Sequence, residues 1–243
     1  MQALERPTFE SEAGEQLYQY VERNGPATRN TVRETVSLPP EQFRSELEQL
    51  KAAGYITEEG GSLQITVDIG TEKEYTADDF TYTIRPGRHT DVDGIVETIR
   101  DVTSEETYIV AESVAEQLLY EDAVTRHNTV ESRVFFVATA DETVIGWTHL
   151  TLPQTTKLQD TAQLTVGVRE EYREAGVGSN LLQQGLDWAE ATGYRKVYNS
   201  VPASNEAAIA FLEAHDWTIE AIRKEHYTIG DQLVDEVMMA YTF

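Results

Sequence analysis

The apolar residues Leu164, Val166 and Val168 alternate along the chain, and after a short polar turn Leu181, Leu182, Leu186 and Ala189 recur at helical spacing. The pattern predicts a strand that runs into a helix. The same reading predicts a strand over 82–86 and a helix over 91–102, with Ile95, Ile99 and Val102 on one face. A second helical stretch aligns Val110, Val114 and Leu118. Residues 134–138 and 144–150 form an expected hairpin turning at Asp141 and Glu142. A strand over 196–201, a helix starting at Asn205, and strands over about 217–227 and 232–241 complete this part of the chain.

The first 70 residues are patterned differently. Ala13, Leu17, Tyr20 and Val21 mark an amphipathic helix that stops at Asn24-Gly25-Pro26. Thr28 is placed to cap a short helix carrying Val32 and Val36, and Pro40 suits the first turn of a third, which presents Phe43, Leu47 and Leu50. Residues 55–67 read as a hairpin turning at Gly60-Gly61. Three helices followed by a hairpin resemble a winged helix-turn-helix domain. With 243 residues, two domains fit better than one. The expected division is a winged-helix-like domain over 1–70, an acidic linker over 71–79 and a larger domain over 80–243.

The turn between strand and helix carries the most specific chemistry. The first amides of a helix have no intrahelical partner and sit at the positive end of its dipole. Gly176 and Gly178 remove side chains that would hold an anion away from those amides, and Arg173 stands at the mouth of the turn. A P-loop would need Gly-Lys-Ser/Thr, but Ser179-Asn180 follows Gly178. A dinucleotide fold would need a third glycine where Leu181 stands. The remaining pattern, Arg-x-x-Gly-x-Gly, resembles the acetyl-CoA pyrophosphate loop of the GNAT superfamily of N-acetyltransferases. From the residues alone, a ligand-free glycine turn stays equally open.

The resemblance extends from Phe80 to the end of the chain and includes an Asn-x-x-Ala helix at Asn205 and Ala208. It implies an α/β (α+β) GNAT fold, a mixed and mostly antiparallel sheet flanked by helices. It implies acetyl-CoA as co-substrate, no metal, and an amine acceptor that attacks directly in a ternary complex. The backbone of Val166, Gly167 and Val168 would hold the pantetheine arm. The amides of Arg173, Glu174, Ala175, Gly176, Val177, Gly178 and Ser179 would hold the pyrophosphate. Asn205 would touch the pantetheine, with a helix cap as its other reading. Phe211 would pack beside the cofactor or in the core. Many members carry a tyrosine as general acid where this chain has Leu212. Gln163 and Thr165, on the strand that often supplies a base, are not basic. His149 has an ordinary pKa near 6.5 and is the first candidate base, followed by Glu131 and Tyr198. The acceptor pocket is expected from the variable segments 104–131 and 152–160. A rival reading makes the chain a winged-helix transcription regulator whose GNAT-like domain senses acyl-CoA without turnover.

Charge changes the picture. There are 43 acidic and 19 basic residues, a net charge of −24, and only five of the basic residues are lysines. Such an excess destabilises the compact state by self-repulsion unless salt screens it. The composition therefore predicts the cytoplasm of a salt-accumulating halophile, a halophilic archaeon in the first instance. The absence of cysteine excludes disulfides, a cysteine nucleophile and thiolate metal sites. No apolar run reaches 18 residues and no signal-peptide pattern occurs, so no membrane contact is expected and a cytoplasmic location is. In the N-terminal domain, Gln42, Arg44 and Ser45 lie on the helix that would enter a DNA major groove, with Arg29, Asn30 and Arg33 placed for phosphates. Residues 1–80 nevertheless hold seven basic and sixteen acidic residues, a net of −9 that opposes phosphate contact. DNA reading and protein docking, including a homodimer, both stay open.

Overall fold

In the computed structural model the described residues are 7–243, apart from 25, 68, 104–108, 122 and 129; the side chains of 59, 109 and 110 are likewise outside the description. The Val110 side chain and part of the expected acceptor segment 104–131 therefore lie outside the description.

The N-terminal unit contains α1 (Glu12–Asn24), β1 (Ala27–Thr28), α2 (Arg29–Val36), α3 (Pro40–Ala52), β2 (Ile56–Glu59) and β3 (Ser62–Ile65). Thr28 caps α2 as expected, its Oγ1 accepting the Thr31 N–H at 3.3 Å. Gly60 and Gly61 both take positive φ, 56° and 83°, which suits the two-residue turn joining β2 to β3. Leu17, Val32, Leu47 and Leu63 are fully buried, so one core joins all three helices to the hairpin. The two-residue β1, too short to leave a pattern, completes a sheet in the order β1-β3-β2.

The larger unit runs β4 (Lys73–Thr76), β5 (Thr81–Pro86), a 3-10 turn (His89–Asp91), α4 (Val92–Thr103), α5 (Ile109–Glu121), β6 (Arg126–His127), β7 (Glu131–Ala140) and β8 (Thr143–Pro153). It continues with β9 (Thr161–Val168), a 3-10 turn (Glu170–Tyr172), α6 (Val177–Thr192), β10 (Lys196–Pro202), α7 (Glu206–Glu213), β11 (Thr218–Ile229) and β12 (Gln232–Thr242). The sheet order is β11-β12-β10-β9-β8-β7-β5-β4, with β6 added to β7. Among the described residues, only β9 and β10 are parallel. Side chains alternate across a strand, so each face has its own layer. Phe136, Leu150, Leu164, Val197 and Met239 pack with Leu181 and Leu186 of α6 and Leu212 of α7. On the other face, Phe135, Val137 and Trp147 pack with Ile95 and Ile99 of α4 and Leu118 of α5.

One expectation changes. The stretch 71–79, read as a linker, carries β4, which pairs with β5 from Lys73↔Ile84 to Thr76↔Thr81. Tyr75 stacks on Tyr82 with ring centroids 5.4 Å apart, a cross-strand pair that holds this acidic segment to the sheet. The two units are also in contact. The Tyr18 hydroxyl donates to the His127 carbonyl, while Glu22 accepts from Arg126 Nε at 3.1 Å and Asn128 Nδ2 at 2.8 Å. A cleft of about 230 Å³ lies between the units, lined in part by Glu22, Thr66, Arg88 and Val124. It is separate from the glycine loop.

Candidate functional site

The strands β9 and β10 pair only at Lys196↔Thr161, Val197↔Ala162 and Tyr198↔Gln163, then part. Their last residues flank a notch in the middle of the sheet. The register with β8 shows which backbone groups face it. Arg169 N–H donates to the Ile145 carbonyl, which makes 145/169 a hydrogen-bonded pair. Such pairs alternate in an antiparallel ladder. Gly167, Thr165 and Gln163 therefore turn their backbone groups to β8, whereas Leu164, Val166 and Val168 turn theirs to the notch. Val168 spends its carbonyl on Arg173 Nε at 3.1 Å. Val166 is left with both groups facing the opening.

Gly167 thus departs from its expected role in cofactor binding. Its backbone faces β8, and a Cβ there would lie 2.2 Å from Trp147 Cη2 and 2.4 Å from Cζ3. The residue is glycine because an indole lies on it. Gly167→Ala should cost about 1–3 kcal/mol or more by overpacking, or several degrees of melting temperature. An unchanged melting temperature would contradict this packing.

Beyond the notch the loop is held from both sides. Arg169 is tied to α4 through Thr98 at 3.1 Å and Asp101 at 3.1 Å. Glu174 and Gly176 have φ of 63° and 81°, and Gly176 is the N-cap of α6. A Cβ on Gly176 would meet nothing within 4 Å, so the space before the helix is open. A Cβ on Gly178 would make only ordinary contacts, 3.6 Å from Phe211 Cζ and from Val168 Cγ2. No protein neighbour demands glycine at 178; a group occupying the space in front of the helix would. His215 bridges α7 to the loop, with Nε2 2.9 Å from Ser179 Oγ and Nδ1 2.7 Å from the Phe211 carbonyl. Arg173, Glu174, Ala175, Val177 and Ser179 thus share one turn, with Phe211 beside it. Asn205 realises its capping alternative, its Oδ1 accepting the Ala208 N–H at 3.0 Å.

The candidate bases fare unequally. His149 is 1 % exposed and stacks on Phe135 at 5.0 Å. Burial first, and the charge of Arg133 second, push its pKa down to about 3. Enclosed in the apolar layer against Phe135, its ring reaches no surface where an incoming amine could deliver a proton, which corrects its expected role. Tyr198 and Glu131 come near one another on the α5 side of the sheet. Burial, reinforced by the Glu131 charge, raises the Tyr198 phenol above its ordinary value. Leu212, at the usual acid position, is 2 % exposed core.

Glu236 escaped notice in the sequence. It is 3 % exposed, and its Oε1 accepts from the Tyr227 hydroxyl at 2.9 Å. Its Oε2 lies 3.0 Å from Arg223 NH1 and 3.6 Å from His226 Nε2. The usable signal was one glutamate in an inward position between Val234 and Met238 of an apolar strand. Among the described residues no group of three His, Cys, Asp or Glu is placed to hold a metal ion.

In the N-terminal unit Asn30, Gln42 and Ser45 are exposed. The candidate cations there are paired: Arg29 Nε with Glu58 at 2.6 Å, Arg33 with Glu34 at 3.8 Å and Arg44 with Glu41 at 3.2 Å.

The profile of the acetyltransferase (GNAT) family matches residues 96–217, half of the chain. The ribosomal protein bS18-alanine N-acetyltransferase of Escherichia coli is 31 % identical over 83 residues, which are 34 % of this chain and 56 % of that enzyme. The chain thus spans little more than half the length of that relative. A GNAT-family acetyltransferase of Streptococcus pneumoniae superposes with a TM-score of 0.55 at 20 % identity, over 67 % of this chain and 99 % of that one. YncA of Salmonella typhimurium, solved with its cofactor acetyl-CoA, gives 0.54 at 16 % identity, over 66 % and 93 %. With an open β9 edge running into a glycine turn at the head of α6, and a family profile covering half its length, the chain belongs to the acetyltransferase (GNAT) family.

Proposed function

We propose that the protein is an N-acetyltransferase that moves an acetyl group from acetyl-CoA to an amine. The parting of β9 and β10 is the observation that carries this reading, because it leaves Val166 facing an opening that leads to the glycine loop. Amides at the head of α6 would hold the pyrophosphate, and the Val166 backbone would hold the pantetheine arm. Acetyl-CoA supplies the activated carbonyl. The chain's own residues bind and orient it, and Phe211 covers one side of the loop. The curated relative is named as an alanine N-acetyltransferase of ribosomal protein bS18, so an alanyl peptide is the first acceptor to test, beside lysine side chains and small amines. Free thiol should be released from acetyl-CoA in molar potassium chloride when an accepted amine is present. Acetyl-CoA binding with no thiol release across the panel would favour a sensor instead.

The N-terminal unit is proposed as a winged helix in a two-domain chain, adapted to the cytoplasm of a salt-accumulating halophile. Its paired cations favour protein docking over DNA. The Arg29 hydrogen bond is the foremost cause that lowers the Glu58 pKa to about 2. Selection from a random DNA pool at molar salt should therefore enrich no sequence. An enriched sequence whose affinity falls about tenfold or more in Arg44→Ala would restore base reading through α3.

A further inference from the structure

Outside the glycine loop, the α4–α5 face of the sheet carries a row of buried polar atoms across the notch. His149 and Thr165 are direct partners on β8 and β9. Neither His149 Nδ1 nor Thr165 Oγ1 has a hydrogen bond, and Thr165 is 5 % exposed. Across the opening, β10 pairs with β12 at Ser200↔Met238 and Pro202↔Glu236. Val201 and Val237 point to the α6–α7 core, so Ser200 and Glu236 point to the same face as Thr165. Glu236 Oε2 is also buried without a hydrogen bond of good geometry, despite the nearby Arg223 cation. A buried carboxylate oxygen in that condition is costly unless something polar joins it.

We propose that Glu236, reached through the Ser200 hydroxyl, receives the proton that the acceptor ammonium must lose before it attacks. This rests on the acetyltransferase reading above. Ser200 Oγ takes one proton from the ammonium as its own proton passes to Glu236. The freed nitrogen lone pair forms the N–C bond to the acetyl carbon, and the C–S bond breaks with its electron pair going to sulfur. The second N–H proton neutralises the thiolate, and Glu236 later returns its proton to solvent. Thr165 lies on the same face, across the notch on β9.

The charged and titratable groups around Glu236 set its character. Arg223, His226 and Tyr227 face it from β11, and Tyr198 lies farther along β10 on the same face. On α5, Glu121 is engaged by Arg126 and Arg133. Burial pulls the Glu236 carboxyl up, but hydrogen bonds from Ser200 and Tyr227 and the charges of Arg223 and His226 together hold it below its ordinary value. Burial and the Glu236 partner raise Tyr227. Glu236 is therefore ionised at neutral pH and ready to accept a proton, yet it is a weak base. A main-chain α-amine near pKa 7.7–8 gives up its proton roughly several-hundred-fold more readily than a lysine near 10.4.

The test is kcat/KM against pH for Glu236→Gln and Ser200→Ala, using the amine with the greatest thiol release in molar potassium chloride. Both variants should lose about 10²-fold or more at pH 7. The loss should shrink toward pH 10, where the amine is already free, and the stabilisation by acetyl-CoA should stay at the wild-type level. Glu236→Asp should recover part of the rate. Ser200→Ala leaves the carboxylate paired to Tyr227 and Arg223, so it reports even where the glutamine variant fails to fold. A loss equal at every pH in Ser200→Ala, or a wild-type pH dependence in either variant, would overturn the proposal while leaving the acetyltransferase reading intact. A wild-type protein that is neither stabilised by acetyl-CoA nor releases thiol would remove that reading, and this proposal with it.

Discussion

Gly176→Asp should remove most of the thermal stabilisation that acetyl-CoA gives, and Gly176→Asn should keep most of it. Gly176 sits at φ 81° with nothing within 4 Å of a Cβ, so either side chain enters open space before α6. Asparagine and aspartate both tolerate this left-handed backbone, which separates charge from strain. Two unit charges 5 Å apart at an effective dielectric of 20 repel by about 3 kcal/mol, and molar salt trims that figure. A loss of about tenfold or more in affinity for aspartate over asparagine is expected. Comparable melting shifts for the two variants would place the diphosphate elsewhere.

Lowering potassium chloride from about 3 M to 0.2 M should lower the melting temperature steeply, with unfolding setting in below roughly 0.5 M, where the Debye length exceeds about 4 Å. The net charge of −24 drives this effect. Ion pairs offset only part of it, because most lie at the surface, as Arg44–Glu41 and Lys224–Asp235 do, and exposed pairs are worth little. The excess carboxylates outnumber every available cation. A melting temperature that holds steady across this range would contradict the halophilic reading.

The helices and long strands of the fold were legible in the sequence because burial on one face writes a period into the chain. The helix carrying Ile95 and Ile99, and the hairpin turning at Asp141 and Glu142, both stand where that period places them, the turn residues at φ 47° and 65°. Short or acidic pieces left no such record. Strand β4 is held by Tyr75 stacking on Tyr82, a contact between residues that look unrelated in sequence. The glycine loop was visible as a local motif. The polar row was not, since Thr165, Ser200 and Glu236 come from three strands whose register only the folded sheet defines. His149 misled for a related reason. A histidine in a strand gives no sign of its burial, and here Phe135 and the helices above it strip away its water.

The most direct measurement compares acetyl-CoA with acetyl-pantetheine, which lacks the diphosphate, as stabilisers of the wild-type protein in molar potassium chloride. Saturating acetyl-CoA should raise the melting temperature by mass action on the folded state, and acetyl-pantetheine at the same concentration should raise it far less. No shift with acetyl-CoA, or equal shifts with the two, would contradict a diphosphate site at the head of α6.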